Sequence, residues 1–182
     1  MGFTPSEMFL TCGVGYHTEK LASLEEALRD AGIERFNLVK VSSILPPHCK
    51  VVSRKRGLAK LQSGQIVYCV LSENRTCENR RLIASSIGVA IPANRNAYGY
   101  LAEHTSFGRT EAQAGDYAED LAATMLGTTL GVQIDPDLAW DEQRELWKIS
   151  GKIVRSTNVT QSAIGKSNGI WTTTVAGAIF VS

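Results

Sequence analysis

Residues 37–47, NLVKVSSILPP, set two adjacent serines between an apolar strand and two prolines. The run FNLVKV that leads in is rich in β-branched and aromatic residues, which favour a pleated strand, whereas Pro46 and Pro47 cannot continue a central one. Leu45 precedes a proline and is pushed toward extended geometry. The bond between Ser42 and Ser43 therefore falls where a strand ends.

Upstream, EMFLTCGVGYH reads as a first strand. Its Gly13 and Gly15 form a GxG too short to claim a dinucleotide site, and they mark a bend or close packing. Ser23 with Glu26 has capping-box spacing, and Leu24, Ala27, Leu28 and Ala31 recur at helical period up to Gly32, a natural stop. This short helix leads into the serine-bearing strand. Downstream, residues 51–64, with SRKRGLAKLQSG, read as a basic, irregular and exposed loop. QIVYCVLSEN, RLIASSIGVAIP and AYGYLAEHTSF read as strands, the second so continuously apolar that both faces are expected to be buried. A long helix is expected over 110–130, with Tyr117, Leu121, Met125 and Leu126 on its inward stripe. DPDLAWDEQRELWKI has helix-forming composition, and WTTTVAGAIFV closes the chain as a strand. Strands grouped around two helices predict an α+β layered sandwich in a single domain rather than a series of βαβ units.

Composition narrows the function classes. With 182 residues, 43% hydrophobic and 20% charged, the chain suits one domain with a substantial core. A net charge of +1 gives no reason to expect nucleic acid or an anionic membrane as partner. No apolar run is long enough to span a bilayer and no signal peptide opens the chain, so a cytoplasmic protein is expected. Cys12, Cys49, Cys69 and Cys77 lack CxxC spacing and read as free thiols; His17, His48 and His104 form no ligand cluster, so no metal is expected. The N-terminal MGFTPS and the sequons at Asn74 and Asn158 are taken as chance matches to modification motifs.

Adjacent serines carry a specific chemistry. The hydroxyl of the second can attack the carbonyl of the first, turning the amide between them into an ester. β-Elimination then breaks the chain, and the dehydroalanine left at the new N-terminus hydrolyses to a pyruvoyl group. Such a bond is expected to be held under strain by its surroundings. The dipeptide alone says little, because Ser85, Ser86 and Ile87 make a second SSI within an apolar run without prolines, and that copy reads as structural.

The context of the first copy is distinctive. Asn37, the apolar and basic residues Leu38 to Val41, then Ser42, Ser43, Ile44, Leu45, Pro46 and Pro47 closely resemble the cleavage motif of pyruvoyl-dependent arginine decarboxylases. The resemblance covers most of the chain and thins over the last forty or so residues. It implies a four-layer αββα sandwich and a homotrimer with active sites between subunits. It also implies self-cleavage into chains 1–42 and 43–182. The activity implied is conversion of L-arginine to agmatine and CO2, in polyamine synthesis or acid resistance, through a Schiff base with the pyruvoyl group made from Ser43, without pyridoxal phosphate or metal.

The resemblance also assigns roles. Glu103 matches the family's catalytic glutamate, the proton donor to the substrate carbanion. Strand alternation puts it on one face with Gly99 and Leu101, where burial would keep its carboxyl protonated; if that face is solvated, it is a surface charge. Asn37 matches an active-site asparagine, and otherwise reads as an amide opening a strand. A straight strand would hold it about 20 Å from Ser43, so either the chain bends or Asn37 serves a neighbouring subunit's Ser43, and the second is preferred. Specificity for a guanidinium asks for a carboxylate, and Glu25 is the candidate, where relatives tend to carry aspartate. The alternative role for Glu25 is to complement the helix dipole. Leu21 and Leu28 are expected to line the same pocket, with Ile44 contacting substrate. Glu25 leaves open a decarboxylase of another basic amino acid, and a trimeric scaffold that never cleaves is the reading from a different class.

Overall fold

The apolar, β-branched runs of this chain build two sheets that share one buried interior, and the alanine- and leucine-bearing helices cover their outer faces. The computed structural model describes residues 4–131 and 152–182. In chain order the elements are β1 (Glu7–His17), α1 (Lys20–Ala31), β2 (Asn37–Lys40), β3 (Ile44–Leu45), β4 (Lys50–Val52) and α2 (Arg54–Leu58). They continue with β5 (Ile66–Thr76), β6 (Leu82–Pro92), β7 (Gly99–Phe107), α3 (Glu111–Thr129), β8 (Ile153–Ile164) and β9 (Trp171–Val181). The helix expected over 135–149 lies outside the described residues.

A five-stranded sheet runs β2-β5-β9-β1-β4 and a four-stranded sheet runs β3-β7-β6-β8. Met8, Val70, Ala178 and Phe180 of the first meet Ile87, Val89 and Leu101 of the second in the central layer. On the far side of the five-stranded sheet, Phe9, Val175 and Ile179 pack with Ala27 and Ala31 of α1. Beyond the four-stranded sheet, Ala90 and Ala102 pack against Ala122, Ala123 and Leu126 of α3. The four layers are therefore α, β, β and α. Removing a fully buried side chain such as Ile87, truncated to alanine, is expected to cost about 2–5 kcal/mol.

Gly13 and Gly15 act through close packing, because a Cβ on either would collide with backbone of α1 at Ala27 or Ser23. Gly32 ends α1 in a left-handed conformation, φ 73°, with backbone bonds back to Arg29 and Leu28.

Three local expectations are corrected, and one strand is added. The capping box at Ser23 does not form: α1 begins a turn earlier after Glu19, and Ser23 is a buried residue inside it. Its Oγ donates to the Lys20 carbonyl and shares a hydrogen bond with Thr173 Oγ1, while Glu26 accepts from the Tyr16 N–H. The basic segment after Val51 is not a plain loop: β4 pairs in parallel with β1, and Ser53 caps α2 by accepting from the Arg56 N–H. The inward face of α3 is made of alanines with Leu126 rather than of Tyr117, which is exposed; Leu121 and Met125 are half-buried at its margin. The cause is the short approach of α3 to β6, where a Cβ on Gly88 would overlap the Ala118 carbonyl. The added strand is β8, paired with β6, although residues 153–164 carry no apolar run.

Candidate active site at the sheet crossover

β2 belongs to the five-stranded sheet and β3 to the four-stranded one, so the residues between them carry the chain from one sheet to the other. Those residues are Val41, Ser42 and Ser43. The Val41 N–H donates to the Cys69 carbonyl on β5 at 2.9 Å, fixing the near side. On the far side, the Leu101 N–H of β7 donates to the Ser43 carbonyl at 2.9 Å, one position beyond the Ile44–Tyr100 pair. Between them the Ile44 N–H donates to the Ser42 carbonyl at 2.9 Å and closes a three-residue turn centred on Ser43. Ser43 is half-buried and Ser42 exposed. Among the described residues, left-handed φ values at non-glycine positions fall at His48, Arg80 and Asn168, so the turn at Ser43 is formed without one. The strain expected at this bond is thus not a left-handed backbone; what distinguishes the bond is a tight turn tied at both ends.

β3 covers β7 only at Gly99 and Tyr100. Beyond Leu101, that edge of β7 has no further strand among the described residues, and Glu103 sits there two positions past the residue opposite Ser43. At the strand rise of about 3.3 Å per residue this is on the order of 7 Å along β7. Glu103 shares the face of Leu101, as alternation predicted, but it is exposed rather than buried in an apolar layer. Leu101 and Ala102 are buried, whereas Glu103 is exposed on the edge of β7 that β3 leaves uncovered. The backbone around it is pinned from the other sheet: Ser72 Oγ donates to the His104 carbonyl at 2.8 Å and Asn74 Nδ2 to the Ser106 carbonyl at 2.9 Å. The sequon at Asn74 is therefore a buried structural amide. Asn158, whose Nδ2 donates to Glu119, is likewise engaged inside the fold.

A cavity of about 460 Å³ opens beside the turn, lined by Val41, Ser42, Ile44, Pro46, Tyr68 and Phe180, with Thr4 and Pro5. Tyr68 and Phe180 escaped the sequence reading; alternation along QIVYCVLSEN puts Tyr68 on the face of Val70, which was legible once that face is known to point inward. Nearby, burial pushes the Cys69 thiol up to about 11, with Lys40 opposing the shift and Glu103 adding to it.

The structure brings Ser42, Ser43, Ile44 and Glu103 to one place. The other candidates stand apart from it within the chain. Asn37 opens β2, and its Nδ2 donates to the Gly64 carbonyl at 2.7 Å. Glu25, Leu21 and Leu28 belong to α1, on the opposite face of the five-stranded sheet from the cavity. Leu21 is 76% exposed, Leu28 packs at the edge of the α1 layer, and the Glu25 carboxylate is paired with Arg29 one turn on. The second serine pair is wholly structural: Ser85 Oγ meets the Thr174 carbonyl and hydroxyl at 3.0 and 2.8 Å, and Ser86 Oγ accepts from Thr160.

Comparison with known proteins identifies the family. The family profile described as pyruvoyl-dependent arginine decarboxylase matches residues 7–182. A probable pyruvoyl-dependent arginine decarboxylase of Chloroherpeton thalassium is 59% identical over 181 residues, covering 100% of both chains. Pyruvoyl-dependent arginine decarboxylase 2 of Methanosarcina mazei is 56% identical over 178 residues, 98% of this chain and 97% of its own. The pyruvoyl-dependent arginine decarboxylase of Methanococcoides burtonii is 55% identical over 177 residues, 97% of this chain and 98% of its own. A chain matched over nearly its whole length, with its double serine on the crossover between two sheets, belongs to the pyruvoyl-dependent arginine decarboxylase family.

Proposed function

We propose that this chain cuts itself between Ser42 and Ser43 and uses the group so made to convert L-arginine to agmatine and CO2. The observation that carries the reading is the hydrogen-bonded turn from Ser42 to Ile44, set opposite Leu101 and two residues from Glu103 on the open edge of β7.

In the cutting step, Ser43 Oγ attacks the Ser42 carbonyl carbon; a C–O bond forms as the C–N bond breaks, and the hydroxyl proton ends on the freed amine. Loss of the Cα proton of residue 43 then expels Ser42 as a carboxylate. The dehydroalanine left behind takes up water and releases ammonia to become pyruvoyl. The surroundings fit such a group. The carbonyl of residue 43 survives this chemistry, and it already accepts the Leu101 N–H. Once formed, the group supplies a ketone that condenses with the substrate amine and a neighbouring carbonyl that draws electrons as CO2 leaves. The chain's own task is to orient the substrate and return a proton to its Cα. Ile44 and Tyr68 form the wall of the cavity, and the Glu103 carboxyl delivers the proton.

An exposed Glu103, and an α1 acid on the far side of a sheet, call for a second copy. A homotrimer in which a neighbour supplies Asn37, Glu25, Leu21 and Leu28 would complete the pocket and shield the β7 edge. Among the described residues no helix is long and apolar enough to cross a membrane. Together with four unpaired thiols, this accords with a cytoplasmic enzyme.

Denaturing mass spectrometry tests the first half of the proposal: two chains are expected, 1–42 and a pyruvoyl-blocked 43–182, and a single intact chain after long incubation would refute it. CO2 release from arginine, ornithine and lysine tests the second. On cleaved protein, Glu103→Gln is expected to lower kcat at least about 100-fold; unchanged turnover would remove Glu103 from its role. Light scattering of the purified enzyme should give three copies.

A further inference from the structure

The carbonyl that must carry negative charge during self-cleavage already has a donor, and it comes from one residue past the scissile bond. We infer that the backbone N–H of Ile44 is the oxyanion donor for self-cleavage at Ser42–Ser43. This rests on the cleavage reading above and extends it to the group that stabilises the reaction's transition state.

When Ser43 Oγ adds to the Ser42 carbonyl carbon, the C=O electron pair moves onto the Ser42 oxygen. That oxygen holds the charge until the C–N bond breaks and the pair returns. A donor is useful only if it is aimed at this atom beforehand, because it then costs no reorganisation as the charge grows. The Ile44 N–H is so aimed, at 2.9 Å.

The turn cannot drift, because both of its sides are tied to different sheets: Val41 to Cys69 on β5, and Ser43 to Leu101 on β7. Within the chain the Asn37 amide does not reach this carbonyl, since it donates to the Gly64 carbonyl at the start of β2. Ser85–Ser86 provides the internal contrast. In the middle of β6, Ser85, Ser86 and Ile87 each pair with β7 on one side and β8 on the other, so the chain is extended and no three-residue turn folds the next N–H back onto the Ser85 carbonyl. The donor is a property of the crossover rather than of the SSI sequence. It also makes the device sequence-tolerant at residue 44, because any residue but proline brings the same N–H.

The test removes that one hydrogen. In the full-length chain, residue 44 is replaced through a suppressed codon by the α-hydroxy analogue of isoleucine, which puts an ester oxygen where the N–H was. The control is the same suppression with isoleucine itself. A second variant carries the α-hydroxy analogue of leucine at 101, removing the donor to the Ser43 carbonyl. Folding of each is checked by circular dichroism. Cleavage is followed by mass spectrometry, which separates scission after Ser42 from hydrolysis of the new ester after Ser43.

The expected result is cleavage after Ser42 slowed by about 100- to 1000-fold in the residue-44 ester, with a much smaller effect at 101. Cleavage of the residue-44 ester at the control rate would overturn the inference. Equal slowing of both esters would overturn it too, since the effect would then belong to the Ser43 carbonyl. If the isoleucine control also stayed intact, the cleavage reading itself would fall, and the donor with it.

Discussion

The chain contains the tripeptide SSI twice, and the two copies have opposite surroundings. Ser85 and Ser86 lie mid-strand in β6, fully buried, with neighbours paired on both edges and both hydroxyls bonded to threonines. Ser42 and Ser43 lie between strands, on the step from one sheet to the other, fixed by backbone bonds that bend the chain at Ser43. Strand pairing keeps the chain extended and its serine occupied. A crossover turns the chain and places the bond beside a cavity. Reactivity is therefore read from where a dipeptide falls in the topology, and the prolines at 46 and 47 are the sequence's mark of that place.

The sharpest way to break the comparison is to exchange the roles of the two pairs. Ser43→Ala should abolish cleavage altogether, whereas Ser86→Ala should cleave at the parent rate; scission anywhere near residue 85, seen by intact mass, would erase the distinction. Ser85→Ala probes the other side. It strips a buried hydroxyl from Thr174 across the sandwich, so it should lower stability by about 1–3 kcal/mol, read as a shift in urea midpoint at constant slope, with cleavage untouched. A stability change too small to measure would mean that the second pair is not the structural clasp described here.

The smallest expected effect concerns thiols. Burial holds the Cys69 thiol near 11, so below that pH it stays protonated and its reactive thiolate is scarce. At pH 8, iodoacetamide should label exposed Cys77 well before Cys69, and Cys69 labelling should climb as pH rises toward 11. Rapid labelling of Cys69 at pH 8 after cleavage would show that the crossover loosens once cut.

How much of this could be read from the sequence depended on the range of the interaction that decides each element. β1, β5, β6, β7 and β9 declared themselves through apolar runs, and Gly32 through its missing side chain. β8 did not, because residues 153–164 are largely polar and gain strand geometry only from pairing with β6. Ser23 carried a helix-start signal, but the α1 layer buried it mid-helix against Thr173. On α3 the larger side chains pointed the reading at Tyr117, when the closeness of β6 admits only alanine. At the site, Ser43 and Glu103 were each picked out as candidates from local pattern and resemblance. Their adjacency was not, since it is set by the register of β3 on β7, a contact between segments more than fifty positions apart. Glu103's exposure was equally hidden, because no local pattern tells where β3 stops covering the edge of β7.

The path of β1 has a consequence for the molecule's integrity. It lies inside the five-stranded sheet, hydrogen-bonded on one side to β9 and on the other to β4. A cut after Ser42 would give β1 to the short piece and both of its neighbours to the long one. The two pieces would then be threaded through each other like a plank held in the middle of a floor, and neither could leave without lifting the boards beside it. A covalent break at the crossover is thus mechanically silent, and the fold can lose a peptide bond without losing a part.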